Sequence, residues 1–209
     1  MSLNPSTRHT LLQKALYLSD EDAWANLIAV YKPLVAHILM KYNFQHHDIE
    51  DVSQRVFIKF TQKLSSYDPE KGRFRHWLSR VIKNEALNLL RSRSSLKESL
   101  NVPGNNDLEV LERLSGSDEH NKMFDEEWEK FLYSRAWENV KGGFSEKAQR
   151  VFELFVQGES AHDIARELSL EDSSIRNFKS RIKHSMLKEV RRLEQELDDG
   201  NERIGESLK

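Results

Sequence analysis

Apolar residues recur at intervals of three and four along nearly the whole chain, the spacing of one helix face, and predict an all-α protein. Trp24, Leu27, Ile28, Tyr31, Leu34, Val35 and Ile38 form the first long stripe. Ser19 and Asp22 stand before it as a capping-box-like pair, and Pro33 is expected to kink or split it. A second helix is expected from about Asp48 to Leu64, with Ile49, Val52, Val56, Phe60 and Leu64 on one face. The Pro, Gly and Ser content of Ser65 to Gly72 marks a turn. A third helix carries Trp77, Leu78, Val81, Ile82, Leu89 and Leu90 and should end near Ser94.

The pattern then weakens. Between Ser92 and Met123 the chain holds Pro103-Gly104-Asn105-Asn106 and Ser115-Gly116-Ser117, with one short apolar spacing at Leu108, Leu111 and Leu114. Connections inside a domain are usually about 4–6 residues, so this stretch reads as an interdomain linker. The expected organisation is two small helical domains, 10–95 and 124–198, joined by a flexible acidic linker at 96–123. Trp128, Phe131, Leu132 and Trp137 open the second domain in this reading, and Gly142-Gly143 interrupts it. Ser145 starts a helix bearing Ala148, Val151, Phe152 and Phe155, which Gly158 ends. No internal repeat is visible.

Charge sharpens the division. Up to Ser95 there are 14 Lys/Arg against 9 Asp/Glu; Leu96 to Val140 has 5 against 11. Lys141 to Arg192 has 11 against 8, and the remainder 2 against 6. Basic blocks are candidates for phosphate contact, while acidic segments avoid DNA or imitate it. The absence of cysteine excludes disulfides, thiolate metal sites and cysteine nucleophiles. No run approaches the roughly 20 apolar residues that span a bilayer, and the N-terminus lacks a signal-peptide core. The expectation is a cytoplasmic protein with no membrane insertion.

The most specific motif runs from Ala161 to Arg176. In a helix-turn-helix the first helix needs a small residue where the two cross, and the turn needs a residue tolerant of a left-handed conformation. Ala165 is the small residue, Ser169 stands at the turn where glycine is preferred, and Ile175 anchors the second helix. Ile164, Leu168, Leu170 and Phe178 are the expected core, Ser160 with Asp163 a capping box, and Asp172 the cap of the second helix. That second helix carries Arg176, Lys179, Arg181, Lys183, Lys188, Arg191 and Arg192 against Glu189 alone. Cations along one element suit phosphates, and polar groups near its start suit base edges. Ser173, Ser174, Arg176, Asn177 and Lys179 are the groove candidates, with Arg181 and Lys183 beside them.

A second basic segment runs from Lys71 to Arg93, where seven cations oppose Glu85 and alternate with Phe74 and Trp77. Cations beside aromatics suit melted DNA, whose unstacked bases meet rings. The helical spacing of Phe74, Trp77, Leu78, Val81 and Ile82 assigns those residues to packing instead. Arg80, Lys83, Asn84, Asn88 and Arg91 remain as DNA candidates. His46-His47-Asp48 lacks metal-ligand spacing, and no nucleophile elbow, P-loop or dinucleotide motif is present, so neither a catalytic residue, a metal nor a cofactor is expected.

Asp48-Ile49-Glu50-Asp51-Val52-Ser53-Gln54-Arg55-Val56-Phe57, followed by Phe74-Arg75-His76-Trp77-Leu78 and Asn84, closely resembles region 2 of extracytoplasmic-function (ECF) sigma factors. Phe144 to Lys188 resembles their region 4. The resemblance implies a non-enzymatic initiation factor whose partners are core RNA polymerase and promoter DNA. It places Asp51, Gln54 and Arg55 on the polymerase-binding face. Arg80, Lys83, Asn84, Asn88 and Arg91 then face the minus-ten element, and the second helix of the motif faces the minus-thirty-five element. An anti-sigma factor or a regulatory kinase is a further candidate partner. The chain departs from the family at Arg55, where an acid is usual, and at Lys179, where an apolar residue is usual. Phosphorylation of Ser53 or Thr61 would restore negative charge beside Arg55, unless Arg55 simply pairs with Asp51 or with a different residue of the polymerase surface. The rival reading is a one-component helix-turn-helix regulator with an N-terminal sensor or dimerisation module. Finally, Val190, Leu193 and Leu197 extend the last helix and need an apolar surface, while Asp198 to Glu202 reads as a solvated end, so truncation after Leu197 should be harmless.

Overall fold

The structure, a computed structural model, describes residues 12, 14–15, 21–68, 71–99, 110, 114 and 117–198. Among the described residues seven helices carry the fold: α1 (Glu21–Lys41), α2 (His46–Lys63), α3 (Phe74–Ser99), α4 (Ser117–Val140), α5 (Glu146–Val156), α6 (Ala161–Glu167) and α7 (Asp172–Leu197). Short 3-10 turns follow α2 at Leu64–Ser66 and α4 at Lys141–Gly143. Among the described residues there is no strand, as an all-α pattern requires. The described residues fall into two compact units, one made of those up to 129 together with 195–198, the other of 130–194.

The first unit is organised around an aromatic cluster. Phe60 of α2 lies 5.6 Å from Trp24, 5.6 Å from Phe74 and 5.9 Å from Trp77, in tilted or edge-on arrangements. Tyr31 meets Phe74 at 5.5 Å and stacks on Trp128 at 6.1 Å. Such pairs add about 0.5–1.5 kcal/mol each to the burial of their rings. Val52, Val56, Leu64, Leu78 and Ile82 fill the space around them with no solvent exposure. The packing role read for Phe74 and Trp77 is therefore correct.

Several expectations change here. α1 is not split at Pro33, which sits exposed inside a continuous helix. α1 is also long and apolar enough to cross a bilayer, contrary to the sequence reading, but Leu27, Tyr31, Leu34, Val35, Ile38 and Leu39 are buried in the core. α3 continues to Ser99, and α4 begins at Ser117, so helix enters both ends of the stretch assigned to the linker. Most of that stretch, with Leu108 and Leu111, lies outside the described residues, as do Ser19 and the tail beyond Asp198. Phe124 and Trp128 complete the first unit rather than opening the second.

Polar groups are built into this core. Asp48, 2% exposed in the first turn of α2, accepts both arms of the Arg93 guanidinium, one at 2.7 Å. His120 at the start of α4 is buried, with Tyr42 Oη 2.5 Å from Nδ1 and Ser79 Oγ 2.8 Å from Nε2. Burial first, and the nearby Lys83 charge second, lower the His120 pKa to about 4, against a smaller raising effect from the Ser79 carbonyl. At the end of α7, Tyr31 donates to the Leu197 carbonyl at 2.7 Å, and Asp198 is 4% exposed. Asp198 is therefore not a solvated end, and truncation after Leu197 removes a buried group.

The second unit matches its pattern closely. Val151, Leu154, Ile164, Ala165 and Ile175 form its core, with Phe155, Leu168, Leu170 and Phe178 packed around them. Trp137 stacks on Phe152 at 4.0 Å. Ser145 caps α5 by accepting the Ala148 N–H at 3.4 Å. The Ser160 hydroxyl accepts the Asp163 N–H at 3.2 Å and donates to its carboxylate at 2.6 Å. Asp172 is the first residue of α7 rather than its cap, where its charge favours the positive helix end.

Gly158, at φ +93°, ends α5 with its N–H on the Phe155 carbonyl and the Glu159 N–H on that of Leu154. Ser169 repeats this ending after α6: at φ +52° it donates to Arg166, and Leu170 donates to Ala165 at 2.9 Å. A side chain in the left-handed region is strained by roughly 1–2 kcal/mol, offset in part by the freedom glycine gains on unfolding. Ser169→Gly is expected to stabilise the second unit by about 0.5–1 kcal/mol. A lower denaturation midpoint in the glycine variant would show that Ser169 makes compensating contacts.

Candidate nucleic-acid interface

On α7 the apolar stripe Ile175, Ile182, Met186, Val190 and Leu193 is buried, which turns the cations outward. Ser173, Arg176, Asn177, Arg181, Lys183, Lys188 and Arg191 are exposed, and Ser174 is half-buried. Lys179 is exposed as well, with its ammonium 4.8 Å over the Phe155 ring of α5. This cation–π contact gives the charge a partner where the related pattern has an apolar residue. Arg181 and His184, with Ser180 and Ser185, edge a groove of about 480 Å³ closed by Val140, Gly143 and Phe144. Asn139 donates to Glu189 at 2.7 Å, and Arg192 also pairs with Glu189 at 2.8 Å, so Arg192 is partly neutralised.

On α3, Arg80, Asn84, Asn88 and Arg91 are exposed. Their spacing of four, four and three puts them on one stripe of the helix. Lys83 is half-buried at the edge of that stripe, close enough for its charge to act on His120. Of the other cations in this segment, Arg93 is committed to Asp48. Arg75 is turned inward, 12% exposed, between Asp125 and Asp198.

On α2, Asp51, Gln54 and Arg55 are exposed, and Ile58 adds an exposed apolar side chain. They lie off the buried Ile49, Val52, Val56 and Phe60 stripe. No ion pair joins Arg55 to Asp51 among the described residues, so the expected local pairing is not formed. Ser53 is 8% exposed and cannot be reached by a modifying enzyme in this fold, whereas Thr61 is exposed and donates to the Ile58 carbonyl at 2.9 Å. Among the described residues no group of histidines and carboxylates is arranged to hold a metal ion.

The sequence reading missed Asp125, Asp198 and His120. His120 was legible in one respect: it lies four residues before Phe124 and eight before Trp128, on the stripe that Leu132 and Ala136 continue.

Residues 27–96, which include α2, most of α3 and the exposed positions on both, match the sigma-70 region 2 family. An 80-residue stretch is 26% identical to the ECF RNA polymerase sigma factor SigW of Bacillus subtilis, covering 38% of this chain and 42% of that protein. A 75-residue stretch is 28% identical to the ECF RNA polymerase sigma factor SigE of Mycolicibacterium smegmatis, covering 36% of this chain and 28% of that protein. The chain thus spans less than half the length of either relative in these matches. Residues 27–96 thus match sigma-70 region 2 and are similar to the corresponding stretch of ECF sigma factors, in a body whose aromatic core turns two polar helix faces outward.

Proposed function

We propose that this protein is an initiation factor that binds core RNA polymerase and directs it to a restricted set of promoters from the cytoplasm. The observation that carries the reading is the region 2 match on a body that exposes Asp51, Gln54 and Arg55 on α2 and Arg80, Asn84, Asn88 and Arg91 on α3. In this reading α2 docks on polymerase and the α3 stripe holds the minus-ten element as it melts. The helix-turn-helix reads the minus-thirty-five element with Ser173, Arg176 and Asn177 at base edges and Arg181, Lys183 and Lys188 on phosphates. No bond-making chemistry is assigned to the chain. An anti-sigma factor would regulate it by covering one of these faces, and a kinase would act through Thr61 rather than Ser53.

The direct test is reconstitution. The purified chain added to core polymerase should yield a specific transcript from a genomic fragment library, and core enzyme alone should not. Tight binding of the free chain to one duplex site as a dimer, without any association with polymerase, would favour the one-component regulator instead.

Gln54→Ala tests the α2 face. The loss of one exposed polar contact costs about 1 kcal/mol. Affinity for core polymerase should therefore fall roughly fivefold with the helical content and denaturation midpoint unchanged. A variant that melts early while keeping full polymerase affinity would reverse the assignment of that face.

A further inference from the structure

The Phe74-Arg75-His76-Trp77 segment has one part that the proposed function leaves unused. Phe74 and Trp77 pack in the core, but Arg75 and His76 meet acids that lie outside the region 2 match. Asp198 accepts the Arg75 backbone N–H at 2.9 Å and lies 3.5 Å from its guanidinium. Asp125 of α4 lies 3.4 Å from Arg75 Nε and 3.6 Å from His76 Nε2. Two residues further along α4 the pattern repeats, with Glu127, 3% exposed, at 2.7 Å from His37 and 3.5 Å from Lys41. All these residues belong to the first unit.

A backbone N–H and a guanidinium meeting carboxylate oxygens, with the His76 ring beside them accepting from Arg75 Nε at 3.4 Å, are groups that also suit a phosphate. Here the chain supplies the anions itself. Buried acids of this kind are costly unless paired, and Asp198 carries the cost openly: burial raises its pKa against the lowering effect of Arg75. We propose that Asp125 and Asp198 form an autoinhibitory clasp, in which their carboxylates hold Arg75 and His76 away from nucleic-acid phosphate until the clasp opens. This rests on the reading of the chain as a DNA-directed factor, but its test does not require polymerase.

The experiment measures binding of the full free chain to a fluorescein-labelled single-stranded oligonucleotide by anisotropy, across a salt series. Asp125→Asn with Asp198→Asn keeps size and one acceptor oxygen in each side chain while removing both charges. The doubly substituted chain should bind about tenfold more tightly, with a salt slope steeper by about one counterion. Adding Arg75→Ala to that background should abolish the gain, while Arg75→Ala alone should leave the weak binding of the parent unchanged. Glu119→Gln with Glu126→Gln removes the same net charge from exposed positions of the same helix and should give little gain.

No gain in the Asp125/Asp198 variant, or an equal gain in the Glu119/Glu126 control, would overturn the clasp. Should Asp198→Asn disturb folding, as read by circular dichroism, Asp125→Asn alone must still give part of the gain, because Asp125 is half-exposed. Transcription with core polymerase is scored separately. A chain that initiates transcription yet shows no unmasking loses only the clasp, and a chain that unmasks but never initiates loses only the proposed function.

Discussion

Acidification is expected to begin destabilising the first unit above the pH at which its carboxylates titrate. His120 is held neutral: Tyr42 Oη stands at Nδ1 and Ser79 at Nε2, and burial with the Lys83 charge lowers its pKa from 6.5 to about 4. The unfolded chain therefore binds a proton near pH 6.5 that the folded chain refuses until about pH 4, and stability must fall as pH falls between those values. At about 1.4 kcal/mol per pH unit across this window, the full loss is about 3 kcal/mol, with roughly 1–2 kcal/mol gone by pH 5.5. Above the window the histidine contributes no pH dependence. Denaturant midpoints measured from pH 7 to 4 should show this slope, and His120→Gln, which cannot titrate but retains donor and acceptor atoms, should flatten it. A glutamine variant with the same slope as the parent would move the effect to another group.

The second large effect is expected in promoter discrimination. Under the proposed function Arg176, exposed at the start of α7, reaches base edges, whereas Lys188, three turns later, reaches only phosphate. A base-edge pair contributes about 1–3 kcal/mol of discrimination, so Arg176→Ala should reduce preference at one or two base pairs by about ten- to a hundredfold. Lys188→Ala should instead weaken every promoter alike and reduce the salt slope by about one. Binding a set of single-base promoter variants to the polymerase complex separates the two. Uniform losses from both substitutions would take base reading away from Arg176. Lys179 serves as an internal contrast, because its place over Phe155 predicts a stability loss from Lys179→Ala and little change in preference.

The legible parts of this protein are the local ones. Spacing of Ile49, Val52, Val56 and Phe60 located α2 to within two residues, and the Gly158 and Ser169 endings follow from which residues tolerate positive φ. The helix-turn-helix core was readable residue by residue because each member lies within a few turns of the next. Exposure of Gln54, Asn84 and Arg176 followed from the same periodicity, since a polar residue off a buried stripe faces solvent. Pro33 was read by its intrinsic helix-breaking tendency, yet packing of Leu27, Tyr31 and Leu34 holds α1 together across it.

The sequence by itself determined the helix class, the two outward polar faces and the motif that reads as DNA-directed, because these depend on side chains one to four positions apart. Only the tertiary structure decided where charges are spent. Arg93 turns to Asp48, Lys179 to Phe155, and Arg75 to Asp125 and Asp198, and each partner is distant in sequence or on another helix. Periodicity can show that a cation is present on a helix; whether it is free for phosphate depends on which carboxylate or ring the folded chain brings within a few ångströms, and that pairing leaves no local mark.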